Sequence, residues 1–149
     1  MYLCVEFQEE YKRLDKLCKE IFGTTEGVSE YIRQMEKISF VDSRRVYSWE
    51  NDYRQLKHVR WVRNQLAHEV GAFDSGVCTN DDLLWVKNFY KRIISGEDPF
   101  TMIRKGKEEE IEREKEKCRR EKLSVQKKDD SEKKSFWQRL KEKIRNIFS

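Results

Sequence analysis

The sequence has no apolar run that approaches the roughly 18 residues a membrane-spanning helix needs. Its first residues, "MYLCVEFQEEYKRL", lack the basic start and apolar core of a secretory signal, so we expect none. The four cysteines are scattered without a C-x-x-C pair, which argues against a structural metal site and a disulfide framework. We therefore expect a cytoplasmic protein with reduced thiols, no metal and no cofactor.

Charge and hydrophobicity are divided unevenly along the 149 residues. Residues 1–100 carry 15 Lys and Arg against 17 Asp and Glu, whereas residues 101–149 carry 17 basic and 11 acidic residues. Most apolar side chains lie in the first part, which can bury a core, and the net charge of +4 is a property of the tail. We predict a helical bundle over 1–103, a charged spacer over 104–135 and an amphipathic basic helix over 136–149.

Four segments of the bundle have apolar residues at the spacing that is typical of amphipathic helices. Gly23 and Gly96 stand where helices are expected to end, and Thr79 is a good N-cap. The fourth segment is apolar around most of its circumference, as in a central helix or one shared with a partner chain. Because no strand hairpin pattern lies between the segments, the sequence predicts an all-α four-helix bundle. The predicted helices cover about 5–22, 28–38, 50–69 and 81–95, with a loop at 39–49.

The spacer follows Pro99, the single proline, and is almost entirely charged. In "RKGKEEEIEREKEKCRREK", acidic residues precede basic residues by three positions, and each such pair contributes about 0.2–0.5 kcal/mol to a helix. We expect this segment to form a solvated single helix. The following "SVQKKDDSEKKS" has the composition of a disordered chain, and we predict disorder there. The pairs are Glu110–Arg113, Glu112–Lys115, Glu114–Lys117 and Glu116–Arg119.

The last segment, "SFWQRLKEKIRNIFS", is amphipathic and basic, and Ser135 is the predicted cap at its start. Such a helix suits a membrane surface or an acidic groove of a protein partner. Folding back on the bundle and pairing in an oligomer are further alternatives. The apolar face comprises Phe136, Trp137, Leu140, Ile144, Ile147 and Phe148, flanked by Arg139, Lys141, Lys143 and Arg145.

The third predicted helix contains an arginine where a core residue is expected. On an ideal wheel with Tyr53 at zero, Arg63 falls at about 280°, inside the core arc of about 180–320°. A buried guanidinium without a partner is costly, so Arg63 must be paired, hydrated or facing a cleft. The other residues of this arc are Leu56, Val59, Val62, Leu66, Ala67 and Val70.

Three polar residues share another strip of the same helix. Asn64 and His68 fall at about 20° and 60°, with Lys57 at about 40°. Arg63 and His68 are about 140° apart, so both reach one reacting group only if the helix distorts or a second copy contributes, which favours a symmetric dimer. Structural roles stay open: Arg63 can snorkel along the core edge, and His68 can complement the helix dipole. His58 lies outside the cluster, and we interpret it as solvent-facing.

The stretch "RNQLAH", residues 63–68, matches the R-N-x-x-x-H form of the R-x4-6-H motif. With this motif near the end of a long helix, the sequence resembles the HEPN domains (higher eukaryotes and prokaryotes nucleotide-binding), which are small all-helical bundles. The resemblance covers residues 1 to about 100 and not the tail. It implies a homodimer whose paired motifs line a cleft, often as a metal-independent ribonuclease, and it is compatible with a toxin or defence effector.

These residue types fit the implied chemistry. Cleavage of RNA without a metal uses its own 2′-hydroxyl as the nucleophile and leaves a cyclic phosphate. His68 is suited to proton transfer because imidazole titrates near neutral pH, and Arg63 matches the charge and planar geometry of a phosphate in its transition state. Asn64 could orient the histidine or hold a phosphate oxygen. Lys57 and Arg60 are the expected substrate-binding residues.

One departure separates this chain from part of that family. The toxin branch paired with a nucleotidyltransferase antitoxin carries a tyrosine two residues after the histidine, where this chain has Val70. Regulation by adenylylation at that position is thereby excluded. Some members of the family are non-catalytic, so the alternative function is a helical adaptor that dimerises and docks a partner or membrane through its C-terminal helix. A general nucleic-acid-binding role is less favoured because the core is slightly acidic.

Overall fold

The computed structural model describes residues 2–147, and every regular element among them is helical. The all-α fold predicted from the sequence is thus confirmed. A short 3-10 helix at Ala72–Asp74 lies between the fourth and fifth α-helices. The α-helices are α1 (Tyr2–Phe22), α2 (Val28–Lys37), α3 (Phe40–Ser43), α4 (Trp49–His68), α5 (Asn80–Ser95) and α6 (Pro99–Ile147).

The core lies between α1, α2, α4 and α5, in which α1 packs against the other three. Each of these helices contributes fully buried side chains, among them Phe7, Tyr31, Val59 and Phe89. The ring of Tyr31 packs edge-on against Phe89, with 5.3 Å between the ring centroids. Because such apolar and aromatic burial is the main stabilising contribution in a domain, it fixes α4 in place along its buried side.

Local capping explains why two of these helices begin where they do. Thr79 and Asp82 form a reciprocal capping box at the start of α5, in which the Thr79 hydroxyl accepts from the Asp82 N–H at 3.2 Å and Asp82 accepts from the Thr79 N–H at 2.9 Å. At the start of α2, the Val28 N–H donates to the Asp15 carboxylate of α1 at 2.8 Å. This carboxylate therefore caps one helix from another and ties α1 to α2.

The segment 39–49 is more ordered than the predicted loop. Ser39 caps the one-turn helix α3, its hydroxyl accepting from the Asp42 N–H at 3.2 Å. Hydroxyl side chains at such positions satisfy N–H groups that lack partners inside the helix. The apolar residues Phe40 and Val41 of this helix are exposed.

The charged region differs from its prediction, because α6 continues as a helix through residues 124–135. The prediction of disorder there was wrong: the segment has no glycine or proline and contains four lysines, which favour helix. Ser135 lies inside the helix and does not cap its start. Two of the predicted charge pairs are present, Glu112–Lys115 and Glu116–Arg119, each with 3.6 Å between nitrogen and oxygen.

The chain divides into two compact units, Met1–Gly106 and Lys107–Ser149. Side chains of the second unit are exposed almost throughout residues 107–147. The predicted apolar residue Phe148 lies outside the described residues. None of the described helices combines the length and apolar character needed to cross a membrane.

Candidate nucleic-acid interface

Helix α4 presents one apolar stripe to the core and a polar strip to solvent. Leu56, Val59, Val62 and Leu66 are buried, as the helical wheel predicts. Val70 is fully exposed, and Ala67 is exposed as well, although both were predicted in the core arc. The buried stripe of α4 thus becomes narrower toward the C-terminal end of the helix.

The predicted burial of Arg63 was wrong, because its side chain is exposed. A helical wheel assumes that neighbouring helices pack against α4 equally along its whole length. On the side of α4 that carries Arg63, the residues of the last turns are exposed instead. Arg63 Nη1 donates a hydrogen bond to Asn64 Oδ1 at 3.2 Å. Arg63 is therefore not held among apolar neighbours: it is an exposed arginine bonded to its neighbour in the motif.

His68 is the last residue of α4, and its side chain is exposed. The backbone leaves the helix at Glu69, which is extended, and Gly71 turns the chain with a φ of 78°. Among the described residues, the His68 imidazole takes part in no hydrogen bond or ion pair. Asn64 lies four residues earlier on the same face, so an exposed amide and an exposed imidazole are neighbours at this end of the helix.

The two residues predicted to bind substrate differ in their surroundings. Lys57 is exposed, and its Nζ lies 4.4 Å from the centre of the Tyr53 ring. Arg60 is half-buried and donates a long hydrogen bond of 3.4 Å to the Ser29 hydroxyl of α2. Lys57 is thus directly accessible on the strip, whereas Arg60 lies at its edge against α2.

The positive charges of Arg60 and Arg63 also influence the pKa of Tyr11 in helix α1. Burial, followed by the nearby Asp15 carboxylate, raises the pKa of Tyr11, and the two guanidinium groups act in the opposite direction. Tyr11 is buried in the core. Both guanidinium groups therefore act electrostatically on a side chain of α1 as well as contributing positive charge to the surface of α4.

Two side chains of α4 have contacts that the sequence did not reveal. His58 is exposed, as interpreted from the sequence, and in addition its Nε2 lies 2.9 Å from the buried carboxylate of Asp82 in α5. The ring of Trp61 stacks against His58, with 6.1 Å between centroids and 26° between planes. Trp61 is 50% exposed, which is unusual for a tryptophan. No motif identified it, but its wheel position near 80° lies beside His68 at about 60°.

The exposed strip of α4 holds the Asn64 amide, the His68 imidazole, the Lys57 ammonium group and the Trp61 ring. Arg60 lies at the edge of this strip, and Arg63 is exposed on another side of the helix. Cations can bind phosphate, the imidazole can transfer a proton, and the indole can stack on a base. No group of three or more His, Cys, Asp or Glu side chains placed to hold a metal ion occurs in the part of the chain that the structure describes. The arrangement is chemically suited to RNA.

Comparison with known proteins adds a family but no relative of known activity. No curated protein and no solved structure matches the sequence significantly. A family match extends over residues 5–148, so it includes the long charged helix as well as the bundle. The chain belongs to the family of unknown function DUF6548.

Proposed function

We propose that this protein is a homodimeric endoribonuclease of the HEPN type that cleaves RNA without a metal ion. Arg63, Asn64 and His68 would supply the chemistry, and Lys57 and Arg60 would bind the RNA backbone. A role as a toxin or defence effector is part of the same proposal.

The observation that carries this proposal is the exposure of all three motif side chains at one end of α4. A structural role would tie Arg63 and His68 to the fold, as Arg92 is tied to Asp52 elsewhere in the bundle. Instead, Arg63 bonds only to Asn64 among the described residues, and His68 has no polar partner there. Stability of the monomer therefore gives no reason for this combination of residues, whereas binding of a phosphate does.

The reaction would be an internal transfer of phosphate in RNA. His68 takes the proton of the 2′-hydroxyl, whose oxygen attacks the neighbouring phosphorus. The bond from phosphorus to the 5′-oxygen breaks, and that oxygen leaves with a proton from a second, protonated imidazole. The products are a 2′,3′-cyclic phosphate and a 5′-hydroxyl. Arg63 stabilises the charge on the phosphate oxygens during transfer.

A homodimer provides the second imidazole and resolves the geometry of the motif. On one straight helix, Arg63 and His68 are about 140° apart and cannot both face the same phosphate. Two copies related by a twofold axis can bring the arginine of one protomer toward the histidine of its partner. The exposed C-terminal end of α4 leaves room for this approach.

The test is an assay of single-stranded RNA cleavage by the purified protein in EDTA. We expect cleavage products that end in a cyclic phosphate, and a loss of roughly a hundredfold or more in rate for His68→Ala and for Arg63→Ala. Arg54→Ala is the matched control, because it removes another exposed basic side chain of α4, which pairs with Glu50 near the start of the helix. Light scattering on each variant reports the oligomeric state.

Three outcomes would count against the proposal. Cleavage that is unchanged in both alanine variants would point to a contaminating nuclease, and a strict monomer would remove the second imidazole. Absence of cleavage together with a dimer that survives His68→Ala favours the alternative, a non-catalytic helical adaptor. The exposed apolar side chains on the C-terminal helix are the observation that supports this second candidate.

A further inference from the structure

The last turns of α6 carry an apolar face that the structure leaves exposed. Five side chains form it, and each is exposed to solvent although all are apolar. In a soluble protein, a contiguous exposed apolar patch marks a site of interaction. The five residues are Phe136, Trp137, Leu140, Ile144 and Ile147, which we call the terminal apolar face.

The face is narrow and bordered by cations on both sides. With Phe136 at zero on an ideal wheel, the five residues fall within about 100° of arc. Lys143 borders one edge at about 340°, and Lys141 borders the other at about 140°. Trp137 lies at the edge beside Lys141, the position at which an indole can contact apolar chains and polar headgroups together.

Charge complementarity identifies the kind of partner. Residues 133–147 contain six basic side chains and one acidic side chain, Glu142, for a net charge of +5. Lipids with anionic headgroups attract such segments, and the long stems of Lys and Arg let their charges remain at the surface while the apolar face is buried. A narrow apolar face with cations at both edges is the arrangement of helices that lie in the plane of a membrane surface.

Pairing with a second copy is disfavoured by the same charges. Trp137, Leu140, Ile144 and Ile147 do have the 3-4-3 spacing of a coiled-coil seam. However, the seam positions that precede them are Lys133 and Asp130, so the apolar repeat covers only two heptads. The flanking positions that would face the partner helix hold lysines, among them Lys134, Lys141 and Lys143, which repel one another across the seam.

We propose that residues 133–147 bind the surface of an anionic lipid bilayer, with the terminal apolar face turned into the headgroup region. This inference is independent of the proposed ribonuclease activity. It rests on the exposed face, its cationic borders and the helical structure of the segment. The family match includes this segment together with the bundle.

The test is flotation of the full-length protein with vesicles at low salt and at physiological salt. One set of vesicles contains phosphatidylcholine alone, and the other contains phosphatidylcholine with phosphatidylserine. We expect flotation with the anionic vesicles, binding weaker by roughly tenfold or more without phosphatidylserine, and weakening by added salt.

Three variants separate the contributions. Leu140→Gln combined with Ile144→Gln leaves the charge unchanged and should lower vesicle binding on the order of a hundredfold. Lys141→Gln combined with Lys143→Gln should lower it by roughly tenfold, and only with anionic vesicles. Gln138→Ala, on the opposite side of the helix, is the matched control and should bind like the wild type. Circular dichroism checks that each variant keeps its helix, which is expected because glutamine is a good helix former.

Several results would overturn the proposal. The wild-type protein could fail to float with anionic vesicles even at low salt. The variant with both Leu140→Gln and Ile144→Gln could float like the wild type, which would mean that charge alone causes the binding to vesicles. Vesicle binding could be absent while light scattering shows an oligomer that this double variant dissociates, which would make the face an interface between copies of the chain.

Discussion

Asp52 of α4 and Arg92 of α5 form a partly buried ion pair in which both carboxylate oxygens accept hydrogen bonds from the guanidinium group. Arg92 Nη1 donates to Oδ1 at 2.8 Å, and Nη2 donates to Oδ2 at 2.6 Å and to the Ser48 hydroxyl at 3.1 Å. The hydrogen bonds to Asp52 raise the pKa of Arg92 above its ordinary value. The bundle therefore does contain a compensated arginine, but it is Arg92 and not Arg63.

Removal of one partner from this pair should destabilise the bundle. Asp52 is only 1% exposed, and Asp52→Asn would leave Arg92 facing a neutral amide. Broken buried pairs cost about 3–5 kcal/mol, and because the Arg92 side chain retains some exposure we expect about 2–3 kcal/mol. Urea unfolding followed by circular dichroism measures the loss.

Glu50→Gln is the matched control for Asp52→Asn. Both changes remove one negative charge from the first turn of α4, so both weaken the helix dipole interaction equally. Glu50 pairs with Arg54 at 3.1 Å, but both side chains are largely exposed, and such pairs contribute about 0–1 kcal/mol. Equal losses of stability in the two variants would show that the buried pair contributes no more than a surface charge.

The sequence predicts α5 closely because both of its ends are fixed locally. The prediction of Asp81–Ser95 differs from α5 by one residue, because Thr79 and Gly96 determine its ends within a few residues of chain. Gly96 has a φ of 72°, the left-handed conformation in which glycine is favoured at a helix end. Periodicity and capping are local properties, and a sequence displays them directly.

The errors at α4 concern contacts between distant parts of the chain. Arg63 was placed in the core because a wheel contains no information on how far neighbouring helices extend. The partners of Asp52 and His58 lie 40 and 24 residues away, so no local pattern identifies them. The motif residues 63–68 were identified from residue types, but their surroundings required the tertiary structure.

Gly27 should be sensitive to substitution because α1 passes very close to it. A Cβ at this position would lie 2.2 Å from the backbone oxygen of Asp15 and 2.4 Å from its Oδ1. The backbone oxygen cannot move without shifting α1, and the carboxylate caps α2 through Val28. We expect Gly27→Ala to lower the free energy of unfolding by about 1–3 kcal/mol, as overpacking does, measured by urea denaturation.

Gly106→Ala serves as the control for Gly27→Ala. Gly106 lies within α6, and a Cβ there would meet nothing within 4 Å. Alanine favours helix over glycine by about 1 kcal/mol, so this change should be neutral or stabilising. A wild-type stability for Gly27→Ala would mean that α1 and α2 are further apart than the structure shows.

The four cysteines should differ sharply in reactivity. Cys4, Cys18 and Cys78 are buried, whereas Cys118 on α6 is exposed. Burial raises the pKa of Cys18 and of Cys78 to about 12, so these thiols stay protonated at neutral and mildly alkaline pH, and the thiolate is the reactive form.

With Ellman's reagent at mildly alkaline pH, we expect one thiol of the native protein to react rapidly and three to react only after unfolding. Cys118→Ser should abolish the rapid reaction of the native protein, and the three remaining thiols should still react after unfolding. A rapid phase that persists in this variant would show that one of the three buried thiols is accessible to the reagent.

Trp61 should contribute to RNA binding if the proposed function is correct. Its half-exposed ring lies on the same face of α4 as Asn64 and His68, three and seven residues before them. Stacking of a base on an aromatic side chain contributes about 1–3 kcal/mol. We therefore expect Trp61→Ala to weaken the binding of a labelled single-stranded RNA by roughly tenfold. Fluorescence anisotropy measures the affinity, and both proteins compared carry His68→Ala so that the RNA is not cleaved.

Two further variants distinguish stacking from a general loss of exposed aromatic surface. Trp61→Phe keeps an aromatic face and should retain most of the affinity. Tyr47 is fully exposed in the segment before α4 and away from the motif, so Tyr47→Ala should leave RNA binding unchanged. If Trp61→Ala and Tyr47→Ala weakened binding equally, the strip beside His68 would have no special role. If neither variant weakened binding, RNA would bind elsewhere on the protein. The exposed indole of Trp61 would then belong to a contact between protomers.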